Sequence, residues 1–259
     1  MKLNKEKCEY IGIGNVGSIK FDDGQPVKKV EEAKYLGCML NSKDDAEMDV
    51  RKRIVDCTIT IKRLHIFFYG SDCSTRRKLQ VYSAVIRSKL MYGLETAMMN
   101  KSVLSRLDAF QMKGLRKIMK MQHAYYNRAH TNQYVLDCAA AELGSLDDPL
   151  IQPLSQYHRQ QRLKLLAKLI TLRHKDPAAK ASFDPETLQP YHYGKKRVGR
   201  PRLNWVECTM EDFWAEAKTL LPQASGQGVL NLCFDRHRDA ILALAEVYDH
   251  KYCFGNGSR

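Results

Sequence analysis

Two aspartates stand side by side at Asp22-Asp23, directly after the aromatic Phe21. Paired carboxylates can hold two divalent cations about 4 Å apart for phosphoryl transfer, when a further carboxylate arrives from another apolar strand. Only residues 1–19 lie upstream, and no separate apolar strand there brings one. Gly24 follows, and Asp-Asp-Gly between two short β-type runs is a hairpin turn signal, because glycine accepts positive φ. Asp22 and Asp23 are therefore expected to turn the chain, and no catalytic residue is assigned. There is no Walker lysine loop and no Ser-His-Asp order with a nucleophile elbow.

Gly12, Gly14 and Gly17 spell G-x-G-x-x-G. A dinucleotide loop must run from a strand into a helix whose N-terminus receives the pyrophosphate. Gly17 leads instead into "SIKFDDG", so these glycines read as a β-turn. Cys233, His237, His250 and Cys253 have metal-ligand chemistry. They flank one amphipathic run, in which a helix would hold His237 and His250 about 20 Å apart. No metal and no cofactor are expected in this chain.

The remaining chemistry is cationic. "KKRVGRPR" carries Arg197, Gly199, Arg200 and Arg202 around an extended Gly-Arg-Pro strip, since proline disfavours helix in the residue before it. Such a strip can lie in a narrow A·T minor groove. It resembles an AT-hook, with Val198 where that motif usually has a second arginine. The whole chain has 259 residues and a formal net charge of +13, which makes a polyanion, nucleic acid first, the expected partner. No small-molecule substrate is indicated. No apolar run is long enough to cross a membrane, and "MKLNKEKCEY" has no signal core. An intracellular location is expected, the nucleus included. The eight cysteines are scattered without C-x-x-C and read as reduced thiols.

The elements that must position these groups fall into two styles. Residues 1–43 contain short runs rich in Val, Ile and Tyr between turns, a β-hairpin region. From Asp44 the period becomes helical. Val50, Ile54, Cys57, Ile61, Leu64 and Phe68 form one stripe, with Arg51, Arg53, Lys62 and Arg63 on other faces. A second helix begins after Ser74, a candidate N-cap, and carries Arg76, Arg77, Lys78 and Arg87. A third puts Leu104, Leu107, Phe110, Leu115 and Ile118 inward. The fold class is thus mainly α with a small N-terminal β region (α+β). Its parts are a hairpin region (1–43), a helical region (44–122), a helical connection (123–176) whose "NQYVLDCAAAELG" ends at Gly144, a Pro-rich basic linker (177–202) and a helical tail (203–259).

Several segments in order resemble one family. "LNKEKCEYIGIG", "FDDGQPVKKVEEAKYLGCML" and "DVRKRIVDCTITIKRL" are similar to the end of the palm and the start of the thumb of non-LTR (LINE-type) retrotransposon reverse transcriptases. "RRKLQVYSAVIRSKLMYGLET" resembles the family's next helix, with Ser88 in place of a proline. "GRPRLNWVECTMEDF" resembles its basic C-terminal segment. The resemblance implies a palm edge followed by a helical thumb and tail. It implies that Lys34 and Tyr35-Leu36-Gly37 lie on a hairpin like the primer grip, and that the basic helices follow the backbone of an RNA/DNA template-primer. It also implies that the aromatic-x-Asp-Asp motif, with its Mg²⁺, belongs ahead of Leu3. The chain is then expected to bind backbone without polymerising, as a C-terminal fragment whose palm and fingers lie elsewhere or on a separate polypeptide. An independent chromatin-type DNA or RNA binder using the AT-hook-like strip is the alternative.

Overall fold

The computed structural model describes residues 4–12, 17–42, 46–191, 204–220 and 234–253. The described residues are mainly helical with a few short strands, mainly α with a small β region as expected. It divides into two compact units, Met1–Leu94 with Met99–Ser155, and Glu95–Met98 with Gln156–Arg259.

The first unit opens with short strands. β1 (Glu9–Tyr10) pairs in parallel with β2 (Lys28–Lys29). Between them Lys20 bridges Pro26 around a tight turn in which Gly24 has φ 82°. Asp22 and Asp23 sit in that turn and are exposed. The carboxylate of Asp23 accepts a bond from Lys5 and one from the Gln25 amide at 3.3 Å. The Lys5 bond, above all, holds the Asp23 carboxyl below the usual carboxylate range. Among the described residues no helix follows Gly17 before Ala46, and Gly14 lies outside the described residues. β3 (Glu32–Tyr35) and β4 (Cys38–Asn41) then form an antiparallel hairpin in register Tyr35 to Cys38. Among the described residues before Ala46 none is buried, because two-residue and four-residue strands have no second layer to cover them.

The helices supply the core. α1 (Ala46–Arg63) turns Val50, Cys57 and Ile61 inward, and Phe68 continues the stripe from a π-helical turn at Ile66–Gly70. α2 (Thr75–Val81) starts at Ser74, whose side chain accepts from the Arg77 amide. It runs through a second π-helical stretch, Tyr82–Arg87, into α3 (Ser88–Met91). α4 (Lys101–Ile118) is capped by the Asn100 side chain, which accepts from the Val103 amide. α4 packs against α1, α2 and α5 (Asn132–Leu143), and α5 closes on Gly144 at φ 82°. Leu107, Phe110, Leu115 and Ile118 of α4 are buried and Leu104 is half-buried.

The second unit takes most of α6 (Leu154–Thr171), with α7 (Pro177–Ser182), α8 (Trp205–Leu220) and α9 (Phe234–Cys253). Its core joins Leu163, Leu166 and Ile170 of α6 to Phe213 and Trp214 of α8 and to Ile241, Leu244 and Tyr248 of α9. Residues 177–191, expected as linker, are packed structure. Asp176 caps α7, Pro177 takes its first turn, and Phe183 and Leu188 are fully buried. Proline is at ease there because that position has no intrahelical N–H bond to lose. Buried Arg162 pairs with Asp212, joined by Arg159 at 3.5 Å. His237 stacks on Trp214 at 4.1 Å and shares one helix with His250.

Candidate nucleic-acid interface

The hairpin meets the helical body at one seam. Arg53 lies on the inward face of α1, one turn from Val50 and Cys57, and is buried. Its Nη1 donates to the Leu90 carbonyl at 3.3 Å and to the Tyr92 carbonyl. Its Nη2 sits 2.8 Å from Asp49 Oδ2 as an ion pair. The chain beyond α3 therefore ends on a buried cation, which satisfies carbonyls that the helix leaves open. Gly93 follows at φ 68°, and a methyl built there would meet Cys38 Sγ at 2.8 Å. Lys52 ties α1 to Glu32 of β3 across the same seam.

The seam holds the hairpin tip outward. Leu36 (φ 47°) and Gly37 (φ 89°) are both left-handed, the two-residue turn whose twist suits an antiparallel ribbon. Leucine in that region costs about 1–2 kcal/mol. Leu36 is nevertheless 75% exposed, and Tyr35 and Lys34 are exposed beside it. The ring of Tyr92 runs along the turn, 3.5 Å from where a Gly37 side chain would begin, and is itself exposed. Tyr35, Leu36 and Tyr92 thus give the tip an apolar, aromatic end with one cation at its base.

The other expected cations divide by where their charge goes. Lys62 and Arg63 are exposed at the end of α1 and have no ion or hydrogen-bond partner among the described residues. Arg51 is exposed and pairs with Glu47 at 2.6 Å. The outer face of α1 between these ends carries exposed Val55 and Ile59. Arg77 is exposed and reaches Gln80 at 3.4 Å. Arg76 donates to the Leu143 carbonyl at 3.3 Å, a cation at the C-terminus of α5, and lies 3.7 Å from Asp148. Arg87 donates to the Pro149 carbonyl. Lys78 is buried and donates to the Ser71 carbonyl at 2.9 Å. Arg53 and Lys78 thus lie in the interior, fixing carbonyls, rather than on the surface expected of them. Both share the helical spacing of buried neighbours, Val50–Arg53–Cys57 and Lys78–Tyr82–Ile86–Leu90, and that spacing was the available signal.

Arg197, Gly199, Arg200 and Arg202 lie outside the described residues. Among the described residues no cluster of three or more His, Cys, Asp or Glu side chains could hold a metal ion. The described cysteines Cys8, Cys38, Cys57, Cys73, Cys138 and Cys208 are free thiols. No helix among the described residues is long and apolar enough to cross a membrane. No protein-family profile, curated protein or solved structure matches the chain.

Proposed function

We propose that this chain binds the backbone of a nucleic-acid duplex, in the manner of the thumb and primer-grip hairpin of a LINE-type reverse transcriptase, and has no polymerising centre of its own. The observation that carries the reading is the clamped hairpin. Lys52 ties Glu32 of the ribbon to α1 and Gly93 lies against Cys38 at its base, and Tyr35 and Leu36 project into solvent beside Tyr92. Exposed aromatic groups on a fixed ribbon suit the sugar and base at a strand end. Lys62 and Arg63, unneutralised at the end of α1, suit phosphates, which position a strand without reading it. The overall charge of +13 draws such a polyanion from a distance.

A salt titration with a fluorescein-labelled RNA–DNA hybrid tests this. Tyr35→Ala with Tyr92→Ala is expected to weaken hybrid binding by about tenfold, on the scale of one lost stacking contact. Lys62→Ala with Arg63→Ala should make the dependence of log K on log salt shallower by about 2. Hybrid affinity indifferent to both pairs would remove the proposal. Preference for A·T-rich duplex that disappears in Arg200→Ala would put the function in the basic strip instead.

A further inference from the structure

A second surface lies in the connection between α4 and α5. No Asp or Glu occurs between Asp108 and Asp137, while Lys113, Arg116, Lys117, Lys120 and Arg128 do. Two tyrosines stand at the centre of this acid-free stretch. Tyr125 is 84% exposed and Tyr126 78%, with ring centroids 5.4 Å apart and planes at 90°. Exposed single tyrosines are ordinary. Two adjacent rings in solvent, on a stretch of chain whose only charged residues are cations, suit a partner that is both flat and anionic.

The rings are carried by an ordered loop. Buried Arg116 reaches out of α4 to hold the loop's far end, donating to the His130 carbonyl at 3.0 Å and to Asn132 Oδ1 at 2.8 Å. The Tyr126 amide donates to the His123 carbonyl at 2.9 Å, and the Tyr125 amide bonds His123 Nδ1 at 3.1 Å. Asn127 Oδ1 accepts from the Ala129 amide at 3.0 Å. His130 stacks flat on Tyr134, 5.8 Å between centroids. At the near end Lys120 occupies the left-handed position (φ 56°) that closes α4. The Met121 amide bonds Arg116 O at 2.8 Å, and the Lys120 amide bonds Lys117 O at 3.2 Å. Glycine is the usual residue at that position, so a lysine there keeps a charge at a conformational cost. Little ordering entropy remains to be spent when a ligand arrives.

From these rings, this charge and this rigidity we infer that Tyr125 and Tyr126 form a stacking platform for unpaired bases, with Lys120 and Arg128 taking the phosphates of a single strand. Base faces match aromatic faces regardless of sequence, and cations beside them track the backbone. A second copy of the chain is a poor occupant, because it would bring like charges together. The inference shares the class of ligand with the duplex-binding reading above but uses different residues and a different nucleic-acid form.

The test is anisotropy of a labelled 12-nucleotide oligo-dT and of a labelled hybrid of equal length, with the full chain. Tyr125→Ala with Tyr126→Ala is expected to weaken single-strand binding at least about tenfold. The paired Phe substitutions should keep it, and hybrid affinity should move less than about twofold, the size left when no stacking contact is lost. Lys120→Gly should raise the thermal midpoint yet lower single-strand affinity, which separates contact from folding. Single-strand affinity unchanged in the double Ala variant overturns this inference and leaves the duplex proposal standing. Loss of hybrid binding on the Tyr35 and Tyr92 substitutions, with oligo-dT unaffected, supports the two surfaces as distinct. A parent chain that binds neither probe refutes both readings.

Discussion

The sulfur of Cys38 fills the space into which any side chain at Gly93 would project, 2.8 Å from the place of its first carbon. This contact joins hairpin to helices, and Gly93 also holds a left-handed φ of 68°. Gly93→Ala is expected to cost about 1–3 kcal/mol, from backbone strain and displaced sulfur together. Adding Cys38→Ala should return the steric part and leave the φ cost. Urea melts of the two single variants and the double variant measure this, and strictly additive losses would show that the sulfur is not the obstacle.

Leu36 sits in a conformation that asparagine tolerates far better. Leu36→Asn should therefore stabilise the chain by about 0.5–1 kcal/mol, with Gly37 completing the favoured Asn-Gly turn. If the tip grips a strand, the same change should weaken hybrid binding. A raised urea midpoint with unchanged affinity would leave the strain at Leu36 without a functional reason.

Tyr82 presents the reverse case, a polar group with nothing to bond. Its hydroxyl is buried without a partner, and burial pushes the phenol well above its ordinary range. Tyr82→Phe is expected to be neutral or slightly stabilising, because only an unsatisfied hydroxyl is removed. The same ring lies 2.6 Å from where a Gly114 side chain would start, and being buried it has no room to retreat. Gly114→Ala should destabilise by about 1–2 kcal/mol, overpacking exceeding the helix-propensity gain. Thermal melts of both variants decide the matter, and a stabilised Gly114→Ala would contradict it.

Glu47 supplies the pH dependence. Its Oε1 accepts from Arg106 at 2.9 Å and from Arg51 at 2.6 Å, joining the first turn of α1 to α4. The Arg106 bond first, then Arg51, holds this carboxyl below the usual glutamate range. A carboxylate depressed by folding contributes in full above its unfolded pKa of about 4.3, and the contribution is lost as pH falls through the lower folded value. Glu47→Gln should therefore lower the thermal midpoint at pH 7, with the gap from the parent closing below about pH 4. A gap constant from pH 7 to pH 3 would place the effect outside this carboxyl.

Local signals were legible in the sequence. The Ser74 cap, the Gly144 stop, the Asp-Asp-Gly turn and the α1 stripe each depend on a few adjacent residues, and each appears in the fold. The interior cations were not. Arg53, Lys78, Arg116 and Arg162 look like surface residues by type, and only distant carbonyls or carboxylates make their burial affordable. Pro177 opens the stretch expected as a linker, although a capping aspartate before a first-turn proline also begins a helix. The proposed resemblance to a polymerase thumb rests on the order of segments; it points to Tyr35 and Leu36, contains Tyr92 without giving it a role, and leaves the Tyr125-Tyr126 pair outside every segment that carries it.

The ribbon that carries Tyr35 and Leu36 owns no interior. Its order is on loan from Lys52 and Gly93, so it should detach before the helices melt. Amides of residues 32–41 would exchange with heavy water well ahead of those in α4, and a protease nick near Leu36 would leave the helical body standing. Occupancy of the tip by a strand should then reveal itself as slowed exchange in that ribbon, a signal readable without any assay of catalysis.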